Sequence, residues 1–176
     1  PIHTQLAGDY NANNALAALA VGKYFDIDTQ TCIRGIESYT PGNNRSQITP
    51  TQRNILLVDA YNANPTSMQA ALKSFASWTD PHKAVILGDM FELGDSSREE
   101  HRDIIRLLSE IAPECIWIVG KAFESALEGM QTPEHLRHFS STADCAEFLK
   151  LHPLEGMTIL VKGSRGMKLE TLIEHL

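Results

Sequence analysis

Several short stretches carry residues that can do chemistry at telling positions. Asp59 ends the apolar run Asn54-Ile55-Leu56-Leu57-Val58 and precedes Ala60-Tyr61-Asn62-Ala63-Asn64-Pro65. A carboxylate at the carboxyl end of a parallel strand sits where open α/β sheets bind ligands, and it can accept hydrogen bonds from two adjacent hydroxyls, as on a ribose. Capping of the turn explains the same residue equally well from position alone. Asn62 and Asn64 can offer amides to a ligand; turn formation, and for Asn64 helix capping ahead of Pro65, account for them as well. Gly88-Asp89-Met90-Phe91-Glu92-Leu93-Gly94 follows a second apolar run and brings Asp89 and Glu92 to the same edge. Paired acids there suit an amine or a metal with its water, although a polar strand-to-helix loop is the plainer reading.

Lys162-Gly163-Ser164-Arg165-Gly166-Met167-Lys168 follows the last apolar run. Its glycines allow close backbone approach, and cations at a helix N-terminus make an anion site, so phosphate or carboxylate binding is favoured over a solvated charge run. Near the start of the chain, Asn11 and Asn14 share one helix face. An Asn amide matches the donor–acceptor edge of adenine, while capping explains Asn11 more readily than Asn14.

The elements that must hold these residues read as alternating strands and helices. Strands are expected at 54–59, 83–88, 115–119, 136–140 and 158–162, and helices at 66–78, 97–111, 122–129, 142–151 and 168–175. Continuous β-branched runs such as Ala84-Val85-Ile86-Leu87 predict strands buried on both faces, hence a mostly parallel sheet flanked by helices. Ser96-x-x-Glu99 reads as a capping box, and Gly129 as a helix stop. Residues 1–41 differ. A helix from about Tyr10 to Phe25 carries a broad apolar face of Ala15, Leu16, Ala18, Leu19 and Val21. A second helix, capped by Asp28 or Thr29, shows Cys32, Ile33 and Ile36. Two short helices are a poor independent core, so they are expected to lean on another surface. Tyr39-Thr40-Pro41-Gly42-Asn43-Asn44-Arg45-Ser46 reads as the linker.

Bulk properties exclude several classes. The 176 residues carry a net charge of −7, which argues against general nucleic-acid binding. Cys32, Cys115 and Cys145 form no C-x-x-C pair and read as reduced thiols. His135 and His138 would face opposite sides of a strand, against metal ligation. No apolar run reaches membrane-spanning length, and no signal peptide is evident, so a cytoplasmic location is expected. The missing initiator Met suggests an excised piece. The P-loop, the dinucleotide fingerprint and the G-x-S-x-G elbow are all lacking.

Taken in order, Gly8-x-x-Asn11-x-x-Asn14-Ala15-Leu16-Ala17-Ala18, the arginine after Gly42, Asp59-x-Tyr61-Asn62-Ala63-Asn64-Pro65-x-Ser67-Met68, Leu87-Gly88-Asp89-Met90-x-Glu92-Leu93-Gly94 with His101, and Val161-Lys162-Gly163-Ser164-Arg165 resemble the ATP-dependent Mur ligases of peptidoglycan synthesis. The strings are similar to those of the branch that joins D-alanyl-D-alanine to UDP-N-acetylmuramoyl-tripeptide. Tyr10 departs from the pattern, since the family often has His there. Such enzymes carry a UDP-binding domain, a central ATPase domain with a P-loop and a C-terminal Rossmann-like domain. The resemblance therefore implies an α/β chain: residues 1–41 as the tail of the central domain, and 42–176 as the C-terminal Rossmann-like domain. It implies ATP and Mg2+ as cofactors, with the main metal ligands outside this chain, and the missing domains as partners. It places Asn11 and Asn14 toward adenine, Asp59 toward the ribose, and Arg45 toward the phosphates. It places Asn62, Asn64, Asp89, Lys162, Ser164 and Arg165 toward the dipeptide and acceptor. The expected reaction runs through an acyl phosphate that the dipeptide amine attacks, and Thr40–Ser46 becomes a hinge. A folylpolyglutamate-synthetase-like ligase and a non-catalytic Rossmann-like binding module are the alternatives.

Overall fold

The computed structural model describes residues 1–176. A 3-10 turn at Asp9–Asn11 leads into α1 (Ala12–Tyr24), and Asp28 caps α2 (Thr29–Ser38) by accepting from the Thr31 N–H. The two helices pack on each other and leave much of their apolar surface uncovered. Leu16 is 64% exposed, Tyr24 81% and Phe25 68%. An open groove of about 670 Å³ runs between them, walled by Ala15, Ala18, Val21, Ile27 and Ile36. From residues 1–41, Ala7 joins the main core and Tyr10 packs against it.

The remainder alternates as expected. The elements are β1 (Gln47–Pro50), β2 (Ile55–Asp59), α3 (Pro65–Ala76), β3 (Lys83–Gly88), α4 (Ser97–Ile111), β4 (Cys115–Val119), α5 (Lys121–Leu127), β5 (Leu136–Phe139), α6 (Thr142–Leu151) and β6 (Thr158–Lys162). The strands form one sheet in the order β1-β2-β6-β3-β4-β5. All pairs are parallel except β1 with β2. Placing β6 between β2 and β3 brings Asp59, Lys162 and Gly88 to one edge, with Asp59 opposite Lys162 in register.

Side-chain alternation with a period of two sorts each strand between two cores. Leu57, Val85, Leu87, Ile116, Ile118 and Leu160 face α3, α4 and α5. Leu56, Val58, Ala84, Ile86, Trp117, Val119, Ile159 and Val161 face α6 and the C-terminal segment. Both faces being covered is why these strands read as unbroken apolar runs. On α3, Met68, Leu72 and Phe75 are buried at helical spacing, each contributing about 1.5–3 kcal/mol.

Three local expectations are corrected. β1 was not foreseen: it is a short antiparallel edge strand ending in Pro50, with Ile48 exposed, so it carries no strong apolar pattern. Ser96 forms no capping box. A 3-10 turn at Gly94–Ser96 runs straight into α4, so Ser96 is already helical, its hydroxyl donates to the Leu93 carbonyl, and Glu99 pairs with Arg106 instead. The final helix is not an α-helix: 3-10 turns at Arg165–Met167 and Leu169–His175 are separated by Lys168 in a left-handed conformation.

Candidate functional site

Asp59 and Lys162 form the centre of the edge. Lys162 Nζ lies 2.5 Å from Asp59 Oδ2, and the two side chains are only 2% and 14% exposed. Lys162 also donates to the Asn62 carbonyl at 3.3 Å, and the Ser46 N–H donates to Asp59 Oδ1 at 3.1 Å. Removing an ammonium from water is costly unless a counter-charge accompanies it, so each member of this pair requires the other. Lys162 was expected to face a ligand. The structure instead buries it beneath the site, where it fixes the carboxylate.

Ser46 is a junction that the sequence did not reveal. Its hydroxyl contacts Tyr10 OH at 3.1 Å and accepts from Asn11 Nδ2 at 3.3 Å. Burial raises the Tyr10 phenol above its ordinary range; the Ser46 hydrogen bond opposes this and the Asp59 charge adds to it. Asn11 is buried and also donates to the Ala7 carbonyl at 2.7 Å, while its Oδ1 accepts from Asn14 Nδ2 at 2.8 Å. The two asparagines therefore have different situations. Asn11 is tied inward, whereas Asn14 is exposed at the rim of the α1–α2 groove, and its Oδ1 takes part in no hydrogen bond within the protein.

Tyr61 gathers the cations. The Arg45 guanidinium carbon lies 3.8 Å from the ring centroid and that of Arg165 lies 5.1 Å away, with Arg165 Nη1 donating to the hydroxyl at 3.4 Å. Hydrogen bonding from Arg45 holds the Tyr61 phenol below its ordinary range, and the charges of Arg165 and Arg45 add to this. Arg45 and Arg165 are both exposed. Tyr61 thus holds two exposed guanidinium groups against one ring, and each can offer N–H donors to carboxylate or phosphate oxygens.

Other expected residues hold the edge together. Asn64 caps α3, accepting from the Ser67 N–H at 2.8 Å while Ser67 Oγ accepts from the Asn64 N–H. Asn62 Oδ1 accepts from the Ala63 N–H. Ser164 is buried; its Oγ accepts from the Phe91 N–H at 2.9 Å and reaches the Ala63 carbonyl, joining the loops after β2, β3 and β6.

Asp89 does not face a ligand beside Glu92. It is 5% exposed, and its oxygens accept from the Ala122 and Phe123 N–H groups, both at 3.0 Å, at the start of α5. Glu92 is exposed with φ +63°. A carboxylate at this position satisfies helix N–H groups that would otherwise lack partners. Gly120, at φ +122°, makes the approach possible: a Cβ there would meet Asp89 Cγ at 2.3 Å. His101 is fully buried, accepts from the Met90 N–H at Nε2 and donates from Nδ1 to the Ser97 carbonyl. Because Nε2 accepts, its 3.9 Å contact with Asp89 is not an ion pair. The anion site at a final helix N-terminus is also corrected. The Ser164, Met167 and Lys168 N–H groups donate to the Asp89, Ser164 and Arg165 carbonyls, leaving the exposed side chains of Arg165 and Lys168 as the loop's available cations. No group of three or more His, Cys, Asp or Glu side chains converges on a metal position. His135 is exposed and His138 bonds the Gly120 carbonyl. No helix is long and apolar enough to cross a membrane.

Residues 44–165 match the family described as Mur ligase, glutamate ligase domain. The UDP-N-acetylmuramoyl-tripeptide–D-alanyl-D-alanine ligase of Bacillus subtilis is 33% identical over 97% of this chain and 38% of its own length. A crystal structure of MurF from Acinetobacter baumannii superposes with a TM-score of 0.86 at 33% identity, over 98% of this chain and 39% of that one. MurF ligase from Thermotoga maritima, solved in complex with ADP, shares the fold with a TM-score of 0.72 at 20% identity. The chain spans little more than a third of the length of these relatives. By the match across its sheet domain, the chain belongs to the Mur ligase family.

Proposed function

We propose that this chain is part of an ATP-dependent amide-bond-forming ligase that adds D-alanyl-D-alanine to UDP-N-acetylmuramoyl-tripeptide. The observation that carries the reading is the cluster at the sheet edge. Asp59, locked by Lys162 and Ser46, lies close to the Tyr61–Arg45–Arg165 stack, and both sit at the carboxyl ends of parallel strands.

In this reading residues 1–41 are the tail of the central ATP-binding domain, and the uncovered apolar surface of α1 and α2 is where the rest of that domain packs. Asn14 offers its amide to adenine, with Asn11 holding it in place. Asp59 accepts from the ribose hydroxyls with its remaining lone pairs. Arg45 faces the phosphates and Arg165 the carboxylate-bearing peptide substrates. Lys162, Ser164, Asn64 and Asp89 act as braces for these loops rather than as ligands. ATP phosphorylates the tripeptide carboxylate, the dipeptide amine attacks the acyl phosphate, and phosphate leaves. The guanidinium groups contribute by neutralising charge that develops on phosphoryl and tetrahedral oxygens. The Mg2+ ligands and the phosphate-cradling lysine belong to the other domains, and the cytoplasm, where ATP and UDP-linked precursors are available, is the proposed location.

The test is phosphate release by the full-length enzyme. Turnover is expected only with ATP, UDP-N-acetylmuramoyl-tripeptide and D-alanyl-D-alanine together, and none from residues 1–176 alone. Arg45→Ala should lower turnover about 10²-fold or more, as for loss of a transition-state charge contact. Turnover with a folate and glutamate in place of the peptide substrates would establish the folylpolyglutamate-type alternative. ATP-independent ligand binding without turnover would establish the non-catalytic module.

A further inference from the structure

Glu170 is the charged side chain that the site leaves unexplained. It belongs to the 3-10 segment Leu169–His175, just beyond the Arg165 loop. Its Oε2 is shielded from solvent and has no hydrogen-bond partner, alone among the buried side-chain nitrogens and oxygens of the molecule. An unpaired carboxylate oxygen in the interior is unfavourable, and because Glu170 as a whole is only partly buried its carboxylate has capacity left for a partner.

Glu170 lines a polar cavity of about 360 Å³ together with Arg165, Tyr61, Asn43, Asn44 and Ala60. Arg165 forms no ion pair with Glu170; its guanidinium is engaged by the Tyr61 hydroxyl and ring. Opposite charges thus share one cavity without neutralising each other. A simple anion placed there meets the repulsion of Glu170, and a simple cation that of Arg165. A zwitterion, with an ammonium at one end and a carboxylate at the other, satisfies both. The cavity has room for a small peptide.

We infer that Glu170 receives the ammonium group of the incoming dipeptide, whose carboxylate meets Arg165, so that the group is held in place until it gives up a proton to solvent and the freed amine attacks the acyl phosphate, expelling phosphate. The inference rests on the ligase function proposed above and adds to it a named residue for the amine. Glu170 makes no hydrogen bond or ion pair with Asn14, Asp59 or Arg45, the polar groups of the proposed nucleotide half of the site.

The experiment is steady-state kinetics of the full-length enzyme carrying Glu170→Gln. Loss of a charged hydrogen bond should raise the KM for D-alanyl-D-alanine about tenfold to a hundredfold, with the KM values for ATP and UDP-N-acetylmuramoyl-tripeptide within about twofold of wild type. D-lactoyl-D-alanine, which has a hydroxyl in place of the ammonium, should inhibit wild type and variant with the same constant. Glu170→Asp, which keeps the charge, should retain part of the preference for the ammonium compound. An unchanged dipeptide KM, or an equal rise in all the KM values, overturns the assignment. A wild-type enzyme that makes no amide with D-alanyl-D-alanine overturns the proposed function itself.

Discussion

Replacing Asp59 should damage the fold before it damages any binding event, and the structure sets the size of the effect. Asp59→Ala leaves the Lys162 ammonium 2% exposed with only the Asn62 carbonyl at 3.3 Å for company. Breaking one side of a buried pair costs about 3–5 kcal/mol. For a domain of this size that is a fall in Tm of roughly 6–20 °C. Lys162→Met should cost less, about 1–3 kcal/mol, because methionine fills the space of the stem and Asp59 keeps the Ser46 N–H and a route to water. The double variant should be no less stable than Lys162→Met, since no charge is then stranded. Urea unfolding followed by tryptophan fluorescence, with Trp117 buried in the core below, reads all of these. Additive losses in the double variant would refute the argument, because the two side chains would then not depend on each other. The same series separates folding from function in the full-length ligase. The double variant recovers stability without recovering a ribose contact, so its KM for ATP should stay raised; a wild-type KM would remove Asp59 from the nucleotide.

Two further predictions test the frame. Gly120→Ala combines φ +122° with a 2.3 Å approach to Asp89 and displaces the carboxylate from the start of α5, so it should cost more than about 3 kcal/mol. Gly94→Ala, at φ +54° in open space, should cost only about 1–2 kcal/mol, and equal Tm losses for the two would contradict the clamp. In an absorbance titration at alkaline pH, Tyr61 should ionise below the ordinary tyrosine range and Tyr10 above it, with Arg45→Ala shifting Tyr61 upward. Because the folded state favours the Tyr61 phenolate, its contribution to stability is present above the ordinary tyrosine range and is lost as pH falls through the lowered value.

The alternating elements were legible because their signals are local. Apolar strands between amphipathic helices, and Asn64 ahead of Pro65 as a cap, need no knowledge of tertiary structure. The edge location of Asp59, Asp89 and Arg165 followed from strand ends alone. What each side chain does there did not. Lys162 reads as one more cation in a basic loop until β6 is inserted between β2 and β3, and only that strand order sets it opposite Asp59. Asp89 looks like a ligand-facing acid until the start of α5 is brought beneath it. Ser46 and Glu170 carried no motif, since a lone serine in a linker and a lone glutamate near a terminus are common. β1 escaped because an edge strand with one exposed isoleucine lacks the pattern that burial imposes. The last helix failed for a backbone reason: Lys168 at φ +54° interrupts any continuous α-helix there.

The linker also has a physical limit on how it can act. Thr40–Ser46 is the expected hinge, and within it Asn43 and Asn44 have left-handed conformations at φ +55° and +58°. Yet Ser46 is buried, donates to Asp59 and is bonded by both Tyr10 and Asn11. Residues on either side of the linker therefore meet at its far end. A rotation of α1 and α2 against the sheet cannot be taken up in Pro41–Asn44 alone, because it must also part Tyr10 and Asn11 from Ser46. Each of those hydrogen bonds is worth about 0.5–1.5 kcal/mol net, small enough to exchange between arrangements and large enough to favour one. The Ser46 N–H to Asp59 bond lies on the sheet side of that break and survives it. Domain motion would accordingly move Asn11 and Asn14 relative to an Asp59 carboxylate that stays fixed, which makes Ser46 the point at which the two sides of the proposed nucleotide site engage.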